Sequence, residues 1–196
     1  QQFAGWRFWR GRRRRRRMNI GIDYSMSCPA ICAYSETPQF WMAHARTYSA
    51  LPALTTVVIS NTEMMARAEF IAQSVITWLA QWPDIRTVAL EDYAFSATGR
   101  VFHIGEHTGI LKYLLRQQRY TITTTPPTVI KKFATGKGNA DKPKMTHAFL
   151  EQYPHAKAWC PVFFPRTAKT ASFAKSPLSD IADAYWIARH AANNGA

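Results

Sequence analysis

Cysteine is scarce in this sequence, and what there is excludes two common scaffolds. Cys28, Cys32 and Cys160 are odd in number, and the first two lie among apolar, strand-forming neighbours. That fits reduced intracellular thiols and not a disulfide framework. The C-x3-C spacing stands alone, with no cysteine or histidine pair following at finger spacing, so a zinc finger is excluded too. No stretch approaches the roughly 20 uninterrupted apolar residues of a membrane span. The basic N-terminus is not followed by the apolar segment of a secretory leader. The expectation is a soluble, cytoplasmic protein of a bacterial or phage-infected cell, with no membrane partner. No internal repeat is visible.

Acids are missing from residues 1–17 (QQFAGWRFWRGRRRRRR), which hold eight arginines. They dominate the formal charge of +13: beyond them 17 basic residues face 12 acidic ones, a net +5. The arginine run at 12–17 repels itself and stays solvated. Trp6, Phe8 and Trp9, interleaved with Arg7 and Arg10, have the chemistry to stack on bases or to lie in a membrane interface. A strand pattern begins at once with Met18, so residues 1–17 are read as an appended or translated-upstream extension in preference to a native nucleic-acid arm. With 196 residues at 47% hydrophobic composition, one core and one folded domain over 18–196 are expected.

What is present reads as an α/β chain. MNIGIDYS, AICAYS and QFWMAHARTYS, separated by turn residues such as Pro29 and Pro38, predict a three-stranded antiparallel meander. In residues 61–82 the period changes: Met64, Ala68, Ile71, Val75, Trp78, Leu79 and Trp82 form one stripe, with Asn61 or Thr62 as cap. TVALEDYAF (87–95) predicts a central strand buried on both faces, ending in acids. A helix follows over 102–119, where Gly105 and Gly109 share a face. Each costs roughly 1 kcal/mol against alanine, which implies close approach of another backbone. A further strand is ended by Pro126 and Pro127. Then come a glycine- and lysine-rich loop (ATGKGNADKPK), a short helix (MTHAFLEQY) and an irregular surface excursion over 153–179. A last helix has Ser176 or Ser179 near its cap. This order predicts a mixed sheet with helices on its faces.

Four acids stand where acids are costly. Asp23 ends the first strand, Glu91 ends the central strand, and Asp180 and Asp183 share one side of the last helix by their i, i+3 spacing. Carboxylates brought together against apolar strands repel one another unless a cation lies between them. Oxygen donors without cysteine or histidine point to Mg²⁺, with Mn²⁺ able to substitute. Two ions, typically about 3.5–4 Å apart, would activate a water and stabilise the leaving oxygen of a phosphodiester displacement. Any one of these acids alone is as readily a turn or helix cap.

GIDYS, LEDYAF, the helix with Gly105 and Gly109, TGKGNADKPKM and SDIADAYWIA occur in the order seen in the RuvC family of Holliday-junction resolvases. The chain resembles that family over most of residues 18–190, as a divergent, phage-type member. The resemblance implies a ribonuclease H-like α/β fold over 18–196 and a homodimer acting on branched DNA. It also implies a metal-dependent crossover-junction endonuclease whose carboxylate tetrad is Asp23, Glu91, Asp180 and Asp183. Two departures stand out: the stretch 152–177 is long for the family, and KSPLS replaces its usual context before the last acids.

Lys131, Lys132, Lys137, Lys142 and Lys144 cluster after the Pro-Pro turn among glycines, where ammonium groups and backbone amides can approach phosphates. The resemblance singles out Lys132 and Lys142 as binding DNA or supporting catalysis. Tyr93 and Phe95 follow Glu91, where the family carries an aromatic that stacks on an unpaired base; core packing is an equal alternative for each. His103, His107, His147 and His190 are read as ordinary surface or core histidines. Two rival functions share these features: a ribonuclease H-like nuclease acting on RNA–DNA hybrid or flap substrates, and a catalytically silent DNA-binding protein.

Overall fold

The run MNIGID alternates its side chains. Met18, Ile20 and Ile22 turn to one face, and Asn19, Gly21 and Asp23 to the other. Both faces are covered, so strand β1 (Met18–Asp23) occupies the middle of the sheet. The computed structural model describes residues 18–60, 62–92, 101–165 and 173–194. Around β1 stand β2 (Ala30–Tyr34), β3 (Gln39–His44), β4 (Leu54–Val58), β5 (Ile85–Glu91) and β6 (Ile122–Thr125), in the order β4-β3-β2-β1-β5-β6. The first three strands form the expected antiparallel meander, and β5 and β6 run parallel to β1. The fourth strand, β4, was not anticipated. It pairs parallel to β3 at the sheet edge and buries only Leu54, so its sequence lacks the apolar run that marks an inner strand.

Helices cover both faces. Helix α1 (Met64–Leu79) and helix α2 (Val101–Gln117) pack on one side, where Ile71, Val75, Leu79, Leu111 and Leu115 meet Ile20, Ile22, Val88 and Leu90. The cap of α1 is Glu63, whose carboxylate accepts from the amides of Met65 and Ala66. Thr62 does not cap it, and Asn61 lies outside the described residues. Gly105 and Gly109 do not receive a neighbouring backbone as expected: a Cβ on either would meet nothing within 4 Å.

Helix α3 (Pro127–Thr135) corrects the sequence reading after the Pro-Pro turn. Pro127 sits in the first turn, where a missing N–H costs nothing, and Gly136 ends the helix at φ 79° with its amide donating to the Lys132 carbonyl. The expected loop is therefore short. Helix α4 (Lys142–Gln152) begins within it, capped by Asp141, so Lys142 and Lys144 lie on a helix and not in a loop.

The segment read as a surface excursion is another correction. A 3-10 turn (Pro154–Trp159) and the short helix α5 (Cys160–Phe163) bury Ala156, Trp159, Cys160 and Phe163. Trp159 meets Phe40 edge-on at 5.2 Å. Turns this brief cannot show a helical period, which is why the apolar residues looked unordered. Helix α6 (Leu178–Asn194) then crosses the sheet on the same face.

Candidate active site

Gly21 determines where α6 lies. A Cβ there would fall 2.2 Å from the Ala188 amide nitrogen and 2.3 Å from the Ala184 carbonyl oxygen, so only glycine lets the helix backbone rest on the strand. Asp23 follows Gly21 by two residues and shares its face, while Asp180 lies about one turn before Ala184 and Asp183 immediately before it. Contact at Gly21 therefore brings the start of α6 over the carboxyl end of β1. Strand β5 is in parallel register with β1, Ile22 beside Leu90, which sets Glu91 next to Asp23. Four acids from three distant stretches meet at one sheet edge.

Their electrostatics register the meeting. Burial raises the proton affinity of Asp23 well above the usual carboxylate range; the charges of Asp183, Asp180 and Glu91 add to this, and Lys142 opposes it. Asp183 is pushed up to about 7, by burial first and then by Glu91. Burial also raises Glu91, against the pull of Lys131 and Lys142. Such groups titrate as a set, because removing one proton makes the next harder to remove.

Asp180 is held differently. Its side chain is only 9% exposed. Ser176 Oγ donates to its Oδ2 at 2.5 Å, Ser179 Oγ donates to its Oδ1 at 3.2 Å, and Lys142 Nζ stands 3.6 Å from Oδ1. Burial works to lower the Lys142 pKa, but Asp180, Asp183 and Asp23 together outweigh it and raise the value. The Lys142 side chain is 61% exposed and reaches in from the rim, so the ion pair is screened by solvent.

The donor set suits a hard divalent cation: four carboxylates, no soft ligand between them, and mutual repulsion that a cation would relieve. Among the described residues no three His, Cys, Asp or Glu side chains converge tightly enough to enclose an ion.

No protein-family model matches the chain, and no curated protein matches it in sequence. Solved structures do match. RuvC from Thermus thermophilus aligns with a TM-score of 0.54 at 16% identity, over 91% of this chain and 96% of that one. T. thermophilus RuvC in complex with a Holliday junction substrate gives 0.55 at 15% identity over the same shares. The yeast mitochondrial Holliday junction resolvase gives 0.51 at 11%, over 86% of this chain and 75% of that one. The fold is that of RuvC.

The RuvC-like architecture is the ribonuclease H-like α/β fold expected from the sequence: a mixed sheet with helices on both sides. In it the predicted basic residues divide. Lys131 on α3 faces the acids, its charge reaching Glu91 and Asp183. Lys132, the neighbour favoured by the resemblance, lies exposed, because adjacent residues of a helix point about 100° apart. Lys142 is at the acids, Lys137 is exposed in the turn before α4, and Lys144 pairs with its own helix cap, Asp141, at 3.3 Å. Tyr93 and Phe95 lie outside the described residues.

Three further groups border the cluster of acids without having been picked from the sequence as site residues. Ser176 was read as a helix cap, yet its hydroxyl serves the Asp180 carboxylate. Cys28 is buried beside Ser176 and Asp180, and burial pushes its thiol up to about 12. His44, at the end of β3, also feels the Asp180 charge, though burial dominates and lowers its pKa. Ser176 stands one turn before Asp180 in sequence, a spacing that could have marked it, whereas Cys28 and His44 reach the site from distant parts of the chain. The remaining histidines have local settings: His103 beside Glu106, His147 beside Glu151, His155 against Tyr153, His190 against Phe133, and His107 buried in α2.

Proposed function

We propose that this chain is a metal-dependent endodeoxyribonuclease that resolves four-way junctions and other branched DNA by paired phosphodiester hydrolysis. The observation that carries the reading is the convergence of Asp23, Glu91, Asp180 and Asp183 at one sheet edge, with Lys131 and Lys142 against them. Acids alone would repel a phosphate backbone, so their gathering beside lysines makes sense where cations and phosphate are to be held together. Branched DNA as substrate is supported by the fold neighbours, one of which is bound to a Holliday junction.

The four carboxylates would hold two Mg²⁺ ions, with Mn²⁺ able to substitute. When bound, these ions supply an activated water and charge stabilisation at the leaving oxygen. The chain's own groups do the rest. Burial and Glu91 push the Asp183 carboxyl up to about 7, so its ionised form is the one a bound cation would favour. Lys131 and Lys142 bring positive charge to the phosphate, and Lys132, Lys137 and Lys144 extend that charge along α3 and α4. Tyr93 and Phe95 follow Glu91 in sequence and are the proposed stacking partners for a base at the crossover.

Two symmetric cuts are made most simply by two sites related by a two-fold axis, so the proposed unit is a homodimer. The outer face of α2 supports it. Phe102 is 82% exposed and Tyr113 62%, with open space over Gly105 and Gly109 between them.

The test is cleavage of a labelled four-way junction beside linear duplex, single strand and RNA–DNA hybrid, with and without Mg²⁺. Paired symmetric nicks confined to the junction are expected. Asp23→Asn should still bind the junction while cutting at least roughly 100-fold more slowly. Unchanged cutting by that variant overturns the site. Equal cutting of the hybrid makes the protein a general ribonuclease H-like nuclease, and binding without cutting makes it a silent DNA-binding protein.

A further inference from the structure

We infer that Ser176 is a positioning residue for Asp180: its hydroxyl, supplied from the segment just ahead of α6, fixes the carboxylate in the orientation it presents to the other acids. The inference rests on the proposed reading of Asp180 as a metal ligand.

The geometry separates this role from ordinary capping. An N-cap serine accepts from backbone N–H groups of the first helical turn. Here the Ser179 amide, three residues on, is occupied elsewhere and donates to the Lys175 carbonyl. The Ser176 hydroxyl instead acts as donor, to Asp180 Oδ2 at 2.5 Å, across one turn of chain. Ser179 and Lys142 engage the other oxygen, at 3.2 and 3.6 Å. Both carboxylate oxygens are thus engaged, which pins the torsion of the side chain while leaving lone pairs on each oxygen free to face a cation.

The contrast within the site is informative. Asp23 and Asp183 have their proton affinity raised by burial and by neighbouring charge, that of Asp183 acting on Asp23 and that of Glu91 on Asp183. Among the described residues, the side-chain hydrogen bonds to this group of acids converge on Asp180 alone. Ser176 contributes the shortest of them and comes from outside the helix, so it ties the chain ahead of α6 to the site. Cys28 stands within hydrogen-bonding reach of both Ser176 and Asp180, so the pair sits in a packed niche and not on an open surface. A carboxylate oriented before the cation arrives loses less conformational freedom on binding. Removing such an outer hydrogen bond typically costs about 10- to 100-fold in metal affinity.

The experiment measures Mn²⁺ binding to the full chain by the electron paramagnetic resonance signal of free Mn²⁺, alongside melting in EDTA, for wild type, Ser176→Ala, Ser176→Thr and Asp180→Asn. Ser176→Ala is expected to weaken Mn²⁺ binding roughly 10-fold with melting in EDTA unchanged. Ser176→Thr, which keeps the hydroxyl, should recover most of the loss. Wild-type binding by Ser176→Ala while Asp180→Asn loses binding overturns the positioning role and leaves the ligand assignment intact. So does equal weakness of the Ala and Thr variants. Wild-type binding by Asp180→Asn overturns the ligand assignment beneath it. Should Ser176→Ala fail to fold, Ser176→Cys, with a weaker donor, must give an intermediate loss, and full binding by it overturns the inference.

Discussion

The two faces of the sheet are packed by different means. On one, Ile20, Ile22, Ile31, Val88 and Leu90 meet the regular apolar stripe of α1 and the inner side of α2. On the other, the strands present Gly21, Ala30, Cys32 and Ala89, small residues that let α6 approach the backbone, and aromatic residues fill the outer space. Side chains of ordinary size separate a helix from a sheet by their own bulk. Removing that bulk at Gly21 lowers α6 onto β1, and with it Asp180 and Asp183 come to Asp23. The dry face stabilises the fold, while the close-approach face also positions charge.

The largest effect expected on this comparison is at Trp159. If the segment 154–163 belongs to the core of the α6 face, Trp159→Ala should destabilise by about 3–5 kcal/mol in denaturant unfolding, as deletion of a large buried aromatic does. A change within about 0.5 kcal/mol would return the segment to the surface.

Next is Gly21→Ala. The added methyl meets backbone and not a movable side chain, so a loss of about 1–3 kcal/mol is expected. Junction cleavage should fall out of proportion to that loss, because α6 and its acids must shift away from Asp23. A variant destabilised but fully active at saturating Mg²⁺ would separate packing from positioning on this face.

The smallest effect concerns pH and is confined to the charged face. The folded-state pKa of Asp183 is raised from the ordinary 3.8 to about 7. The stabilisation that goes with its protonated form is therefore complete below pH 4 and is lost as pH rises through about 7. Asp23 and Glu91 act in the same direction. In EDTA the melting temperature should fall across this window. Mg²⁺ should reduce the fall, since a bound cation favours the ionised carboxylates. Asp183→Asn should flatten the dependence in EDTA, and an unchanged slope in that variant would remove Asp183 from the cluster.

Much of this could be read along the chain. The meander, α1, β5 and α6 announced themselves because their apolar periods are long enough to be distinctive. Glu91 and Asp23 stood out because an acid at the end of an apolar strand is costly. Strand β4 and the turns at 154–163 did not, since an edge strand needs little burial and a single helical turn has no period. Helix α3 was obscured by Pro126 and Pro127, which do end β6 as read, while the second of them also opens a helix.

The sequence by itself determined the donor chemistry: four carboxylates, a set of lysines and no cysteine or histidine cluster to compete with them, because side-chain type is a local property. It also marked β5 as an inner strand, because burial on both faces demands an apolar run. Only the tertiary structure decided which of two adjacent lysines faces the acids, that Ser176 serves Asp180 in place of a helix terminus, and that one glycine sets the height of α6. These are consequences of how far apart two elements pack and how one is rotated against the other. Such distances and rotations arise from how whole elements pack, as where Gly21 meets Ala184 and Ala188, and no local pattern encodes them.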